Sequence, residues 1–201
     1  MKKYLLGTAM AFVAVIYIWV VVLGNDPLQP SIASKILRFH VLANSNNEAD
    51  QAVKEQVRDA VGTYLRPFLE EAGNIEETRR IVSGHLEKIV ELSCITLREN
   101  GYDYEVEAKL TDTYFPEKTY GSYTFPKGTY EALEIIIGAG KGDNWWCVLY
   151  PNMCFKGTVY EVVNSAAGEE LREVLSPWEY ADVFDSGSIE IRSRVLEYFS
   201  K

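Results

Sequence analysis

Two long stretches of the chain carry apolar residues at every third or fourth position, the spacing of a helix with one buried side. The first begins after Ser45, which with Glu48 matches the pattern of a capping box, and Pro67 is expected to kink or end the helix near its last turn. The second spans residues 75–99 and stops at an Asn-Gly pair, a common helix end. Two long amphipathic helices are therefore predicted.

Shorter stretches indicate strands, at residues 35–43, 102–110, 133–137 and 145–150. In the first of them, Leu37, Phe39 and Val41 should point to one side while Arg38 and His40 point to the other. A long ordered loop is expected at residues 113–128, and short helices at residues 166–175 and 189–199. The predicted fold class is α+β, with a small, mostly antiparallel sheet packed with two long helices and preceded by an N-terminal hydrophobic segment.

The hydrophobic segment sets the expected compartment. Residues 4–23 carry no charge and, at about 1.5 Å per residue, are long enough to cross the roughly 30 Å of a bilayer core. Lys2 and Lys3 precede it, so the positive-inside rule directs the rest of the chain out of the cytoplasm. Residues 1–24 are either a retained membrane anchor or a cleaved signal peptide. The segment 25–34 is expected to be a linker, and 35–201 a single extracytoplasmic domain.

Charge narrows the classes of partner. The chain has 20 basic and 29 acidic side chains, a net charge of −9, and both charges in residues 1–24 are lysines. An acidic domain repels the phosphates of nucleic acids and the surfaces of anionic bilayers. No nucleic-acid partner is therefore expected, and membrane contact is expected only through residues 4–23, if they are not cleaved.

Candidate catalytic patterns are weak. Residues 138–143 read GAGKGD but lead into a strand, whereas a phosphate-binding loop leads into a helix. His40 near Ser45 lacks the G-x-S-x-G context of a hydrolase, and Glu131 with Glu134 could form an acid/base pair without a defined substrate. Two isolated histidines and no Cys/His cluster argue against zinc. We expect no catalytic residue, no cofactor and no metal.

The cysteines suggest a covalent link. Cys147 and Cys154 are separated by a short stretch that contains a Pro-Asn turn. In an oxidising compartment a disulfide between them is expected, and two reduced, buried thiols are the alternative. Cys94 falls in the second predicted helix, where a small core residue is expected.

Aromatic residues are crowded between Tyr114 and Phe155. Tyr and Trp side chains supply large contact areas at low entropic cost, so rings displayed on ordered loops make good protein-interaction surfaces. We expect the larger share of these rings to pack in the core and the remainder to form an exposed binding face.

Two strings of residues resemble a known family. The string RFHVLANS at residues 38–45, followed by Asp50 and Gln51, resembles the opening of stage II sporulation protein R. The stretch from Phe125 through the glycines of GAGKGD to NWWCVL at residues 144–149 resembles that family's signature. The likeness covers about residues 35–155, and Asn152 departs from it where a second proline would be expected.

The resemblance implies a signalling protein of endospore-forming bacteria. Members are exported from the forespore into the space between the forespore and mother-cell membranes. There they activate the membrane-embedded protease of the mother cell that processes pro-sigma-E, so the protein would be an activator and not an enzyme. The resemblance does not identify contact residues; as motif positions, we select Arg38, His40 and Asn44 at one edge and Trp145 and Trp146 near the cysteines.

Two other functions compete with this interpretation. An extracytoplasmic hydrolase acting on cell-envelope material could use His40 and a carboxylate such as Glu131 as general acid and base. A structural anchor that links membrane and envelope would need no chemistry at all.

Overall fold

The computed structural model describes residues 28–153 and 165–185. The elements are α1 (Leu28–Ala33), β1 (Leu37–Leu42), α2 (Glu48–Glu70), α3 (Ile75–Glu99), β2 (Val106–Phe115), β3 (Lys118–Tyr120), β4 (Tyr123–Phe125), β5 (Gly128–Ile137), β6 (Asn144–Tyr150), α4 (Ser165–Val174) and α5 (Pro177–Asp185). Within these ranges, no helix is long and apolar enough to cross a membrane. The hydrophobic segment 4–23, Cys154, Phe155 and the helix predicted at 189–199 lie outside the described residues.

Four strands form the central sheet in the order β2–β5–β1–β6. The β2–β5 and β1–β6 pairs are antiparallel, and the β1–β5 pair is parallel. β1 is therefore a central strand, with Phe39 opposite Leu133 of β5 on one side and Cys147 of β6 on the other. β3 and β4 form a separate antiparallel hairpin. The predicted α+β class, with a small and mostly antiparallel sheet packed with helices, is confirmed.

The two long helices cover one side of the sheet, which we call the helix face. Its side chains come from alternate positions of the strands and pack with the apolar stripes of α2 and α3 in one core. α3 has the bounds that the sequence predicted, and its N-cap Asn74 accepts a hydrogen bond from the backbone N–H of Glu77. α2 continues three residues past Pro67 and ends at Glu70. Its N-cap is Asn47 and not Ser45, because the Asn47 side chain accepts the N–H of Asp50.

The other side of the sheet is also covered. We call it the aromatic face, because Phe115, Tyr130 and Trp146 lie there with Arg38 and His40 of β1. The hairpin β3–β4 and the helices α1, α4 and α5 contribute to a second core on this side. Both polar residues of β1 are buried, at 0% exposure for Arg38 and 1% for His40. The alternation of β1 therefore separates two faces that are both buried.

Other boundaries also differ from the sequence predictions. Residues 28–33, placed in the linker, form α1, where Ile32 is fully buried in the aromatic-face core. The loop expected at 113–128 contains the end of β2, the whole β3–β4 hairpin and the start of β5. Residues 102–105 precede β2 instead of opening it. The β3–β4 hairpin pairs locally, with Lys118 opposite Phe125, whereas α1 packs with residues distant in the chain.

Candidate functional site

Arg38 is the centre of the aromatic face. Its guanidinium carbon lies 4.3 Å from the centroid of the Phe115 ring, and the rings of Tyr120, Phe125 and Tyr130 surround it within 5.7 Å. Arg38 Nε donates to the carbonyl of Cys147 (3.0 Å), and Nη2 donates to the Tyr120 hydroxyl (2.9 Å). Among the residues that the structure describes, Nη1 has no hydrogen-bond partner. Burial lowers the pKa of Arg38, and the surrounding rings favour its charge through cation–π contacts.

His40 lies next to this cage, two residues along β1. Its ring stacks on Trp146 with centroids 4.9 Å apart and an angle of 5°, and Phe115 lies 5.3 Å away. Nε2 is 3.0 Å from Glu134 Oε1 without the alignment of a hydrogen bond. Burial lowers the pKa of His40 to about 4, although Glu134 opposes the shift. The imidazole is therefore neutral near pH 7, and Glu134 makes its charged contact with Lys109 Nζ at 3.2 Å.

Asn44 and Asp50 form a different kind of cluster, at the end of β1. Asn44 Nδ2 and the Ser45 hydroxyl both donate to Asp50 Oδ2, at 2.9 and 2.6 Å, and the Tyr104 hydroxyl donates to Asp50 Oδ1 at 3.0 Å. Asp50 is 1% exposed. The Ser45 hydrogen bond is the largest cause of its lowered pKa, with Asn44 and Tyr104 adding to it against the effect of burial. The carboxylate thus organises the turn that leads into α2.

The turn at residues 43–51 is hydrogen-bonded to the glycine-rich loop at residues 138–143. We call these two segments together the paired turns. Asn44 Oδ1 accepts the N–H of Ala139, and the Asn44 carbonyl accepts the N–H of Lys141. The carbonyl of Ala43 accepts the N–H of Gly142. Every backbone N–H from 138 to 143 donates inside the protein, to Glu105 O, Asn44 Oδ1, Ile137 O, Asn44 O, Ala43 O and Asn46 Oδ1. A phosphate cradle needs such groups free, so the loop is a structural turn.

Glycine is required where the two turns touch. A Cβ on Gly142 would lie 2.3 Å from the carbonyl oxygen of Ser45. Gly138 has a φ of +57°, and a Cβ there would lie 2.5 Å from the side-chain oxygen of Asn44. The neighbouring turn thus explains Gly138 and Gly142, and a φ of +59° with Ile136 close by explains Gly140, without any ligand.

Trp145 and Glu131 lie on the helix face, away from His40. Trp145 packs edge-on against Phe39, with centroids 5.4 Å apart, and the guanidinium carbon of Arg58 lies 5.1 Å from its ring. Arg79 of α3 donates to Glu131 in a bidentate pair, with Nε 2.9 Å from Oε1 and Nη2 2.7 Å from Oε2. Glu131 and Glu134 therefore point to opposite sides of the sheet and cannot act as an acid/base pair.

The five residues selected from the sequence do not form one site. Arg38, His40 and Trp146 meet on the aromatic face, Asn44 belongs to the paired turns, and Trp145 lies on the helix face. Arg38 and His40 are both buried, so their side chains do not reach the surface at which a partner would bind. Among the missed residues is Asp50: the sequence predicts a capping box between Ser45 and Glu48, but the Ser45 hydroxyl donates to the Asp50 carboxylate instead.

The cysteines are only partly covered by the structure. Cys94 is a free, half-buried thiol on α3. Cys147 is buried on the helix face, and the N–H of Met153 donates to the carbonyl of Val148. Since Cys154 lies outside the described residues, its disulfide with Cys147 stays a prediction. No group of three or more metal-ligating side chains occurs within residues 28–153 and 165–185.

Comparison with known proteins gives these clusters a family context. Residues 33–160 match the family of stage II sporulation protein R. Stage II sporulation protein R of Bacillus subtilis (strain 168) is 36% identical over 131 residues, which make up 65% of this chain and 58% of that relative. The chain thus matches less than two thirds of that relative's length, and no solved structure matches it. The matched residues contain the whole sheet, both long helices and the paired turns, so the chain belongs to the stage II sporulation protein R family.

Proposed function

We propose that this sporulation protein is an exported signal that activates the membrane-embedded mother-cell protease processing pro-sigma-E. The observation that carries the proposal is the family match over residues 33–160, which encloses the central sheet. The protein acts between the forespore and mother-cell membranes as a ligand of the protease. It binds the extracytoplasmic part of the protease and favours the active arrangement, so its effect is a shift of population and needs no catalysis by the ligand itself.

The distribution of polar motif residues supports a binding role. Arg38 and His40 are enclosed by aromatic rings, while Asn44 and Asp50 hold the paired turns together. These residues make the surface rigid before any partner arrives, and a preformed surface loses little entropy on binding. Rigid presentation is a property that a protein ligand needs.

Three of the selected residues remain proposed contacts. Asn44, Trp145 and Trp146 are half-buried, and the two tryptophans emerge on opposite sides of β6, the terminal strand of the four-stranded sheet. A protease segment that reaches the β6 side of the domain would meet both indoles. Large aromatic side chains at such a position contribute strongly to protein interfaces.

A cell-envelope hydrolase is disfavoured by geometry. His40 is 1% exposed and stacked against Trp146, and Glu131 is on the opposite side of the sheet, paired with Arg79. A general acid/base must reach the proton that it moves, and the His40 ring is closed off from a polymeric substrate.

The decisive experiment is co-expression of the full chain with the protease and pro-sigma-E in a host that does not sporulate. We expect cleavage of pro-sigma-E only when all three proteins are present. Two matched variants accompany it: Gly84→Ala on the outer side of α3, which should keep activity, and Gly142→Ala in the paired turns, which should reduce it. Cleavage that proceeds equally without this chain would refute the proposal.

Export is part of the same proposal and has its own test. A carboxyl-terminal epitope on the full chain should be digested by protease added to intact spheroplasts, because residues 4–23 carry the domain across the membrane. An epitope that is protected until the cells are lysed would place the domain on the cytoplasmic side.

A further inference from the structure

α5 carries an apolar stripe that faces away from the domain. Pro177, Trp178, Ala181 and Phe184 are all exposed. Three of them follow the i, i+4, i+7 spacing of a single helix side, and Trp178 adjoins the first. Trp178 is 69% exposed and Phe184 49%, both large apolar groups that a domain normally buries.

The opposite side of α5 is firmly packed. Val183 is fully buried in the aromatic-face core, and the hydroxyls of Tyr180 and Tyr123 are 3.2 Å apart. Tyr123 also meets the Phe184 ring edge-on, with centroids 5.4 Å apart. The stripe is therefore a fixed feature of the surface and not the exposed side of a fraying helix.

Glu179 ties α5 to α1, the first described element of the chain. Its carboxylate accepts hydrogen bonds from the Ser31 hydroxyl, the Lys35 ammonium group and the N–H of Ser176. Burial alone would raise the pKa of Glu179, but these hydrogen bonds lower it to about 2. The Glu179 carboxylate is thus charged at any physiological pH. Its contacts with Ser31 and Lys35 place the α5 stripe beside α1, where the chain enters the domain.

Only residues 24–27 separate the hydrophobic segment 4–23 from the start of α1. Even fully extended, this connection spans at most roughly 17 Å. When residues 4–23 occupy a bilayer, α1 and the helix tied to it must therefore stay close to the bilayer surface. Such tethering gives a weak second contact a high effective concentration.

We propose that the α5 stripe rests in the membrane–water interface of the bilayer that holds residues 4–23. Trp is favoured at that depth because its ring is apolar and its N–H can still be hydrated. The stripe has no basic residue and is bordered by the exposed Asp182, so the contact is apolar and suits a zwitterionic lipid surface. This inference goes beyond protease activation and does not depend on it.

The test uses the full chain in phosphatidylcholine nanodiscs, with or without brominated lipid, whose bromine quenches nearby indoles. The difference in fluorescence between the unmodified chain and its Trp178→Phe variant gives the emission of Trp178 alone. We expect brominated lipid to reduce this contribution at least about twofold. Trp146→Phe is the matched control, because Trp146 is stacked on His40 and should show no lipid dependence.

Two results would overturn the proposal. Equal Trp178 emission with plain and brominated lipid would show that the stripe does not contact the bilayer. Acrylamide quenching of Trp178 that persists in nanodiscs and is lost only on addition of the protease would show that the stripe binds a protein instead. Since the lipid measurement contains no protease, failure of pro-sigma-E activation would leave its outcome unchanged.

Discussion

The two faces of the sheet are both buried but are built from different residues. The helix face is mainly aliphatic, with Leu37, Val41, Leu133 and Ile135 packed under two long helices. The aromatic face encloses a guanidinium and an imidazole under rings that come from the hairpin and neighbouring strands. A period-two pattern reveals the first kind of face, because its residues are apolar. It misses the second, because a buried arginine in an aromatic cage has the same sequence pattern as a solvated one.

Adjacent residues of β1 give the strongest test of this contrast. Phe39→Ala removes a fully buried ring from the helix face and should cost about 3–5 kcal/mol of unfolding free energy. Arg38→Met keeps the volume inside the cage and removes the desolvation cost of the charge, so we expect a change within about 1–2 kcal/mol. Urea unfolding of both variants measures the difference. A loss for Arg38→Met as large as that for Phe39→Ala would mean that the cage requires the cation.

The aromatic face should also make the fold sensitive to mild acid. Because the pKa of His40 falls from 6.5 to about 4 on folding, the unfolded chain takes up the proton first. Stability should therefore decline by roughly 1–3 kcal/mol as the pH falls from 6.5 to 4. His40→Phe should remove this part of the decline. Urea unfolding at pH 7, 5.5 and 4.5 tests it, and parallel pH profiles for the two proteins would contradict the expectation.

The predicted disulfide would add a covalent constraint at the helix face, where Cys147 is buried. The N–H of Met153 donates to the carbonyl of Val148, the residue next to Cys147. A loop this short should stabilise the fold by about 2.5 kcal/mol when closed. Mass spectrometry of the unreduced peptide 142–156 identifies the bond, and thermal unfolding with and without reductant measures its effect. Two free thiols in the exported protein would rule it out.

Replacing glycine by alanine at two positions compares how the paired turns and the exposed side of α3 tolerate an added Cβ. Gly142→Ala forces a Cβ against the Ser45 carbonyl and should cost roughly 1–3 kcal/mol. Gly84 lies inside α3, and a Cβ there would have no described atom within 4 Å. Gly84→Ala should therefore raise the free energy of unfolding by about 0.5–1 kcal/mol. Thermal unfolding of the two variants should give shifts of opposite sign. Equal shifts would show that the turns can separate without loss.

Local pattern predicted the long helices well, and for a physical reason. The apolar stripe of α3 and its capping residues lie within the helix, so residues 75–99 could be bounded without tertiary contacts. The start of α2 was harder to place, since Ser45, Asn46 and Asn47 can all cap and only the Asp50 network selects Asn47. The candidate site was predicted only in part. The sequence pointed to Arg38, His40 and Trp146, but the rings around Arg38 come from positions up to 92 residues later.

The sequence by itself determined the family, the α+β class and the two amphipathic helices, because these depend on motif strings and on short-range periodicity. Only the tertiary structure decided that β1 is buried on both sides, that His40 is a neutral ring against Trp146, and that α1 belongs to the domain. Whether a polar side chain is buried depends on the residues that cover it. For Arg38 and His40 those covering groups come from distant parts of the chain, and no local pattern of residues specifies them.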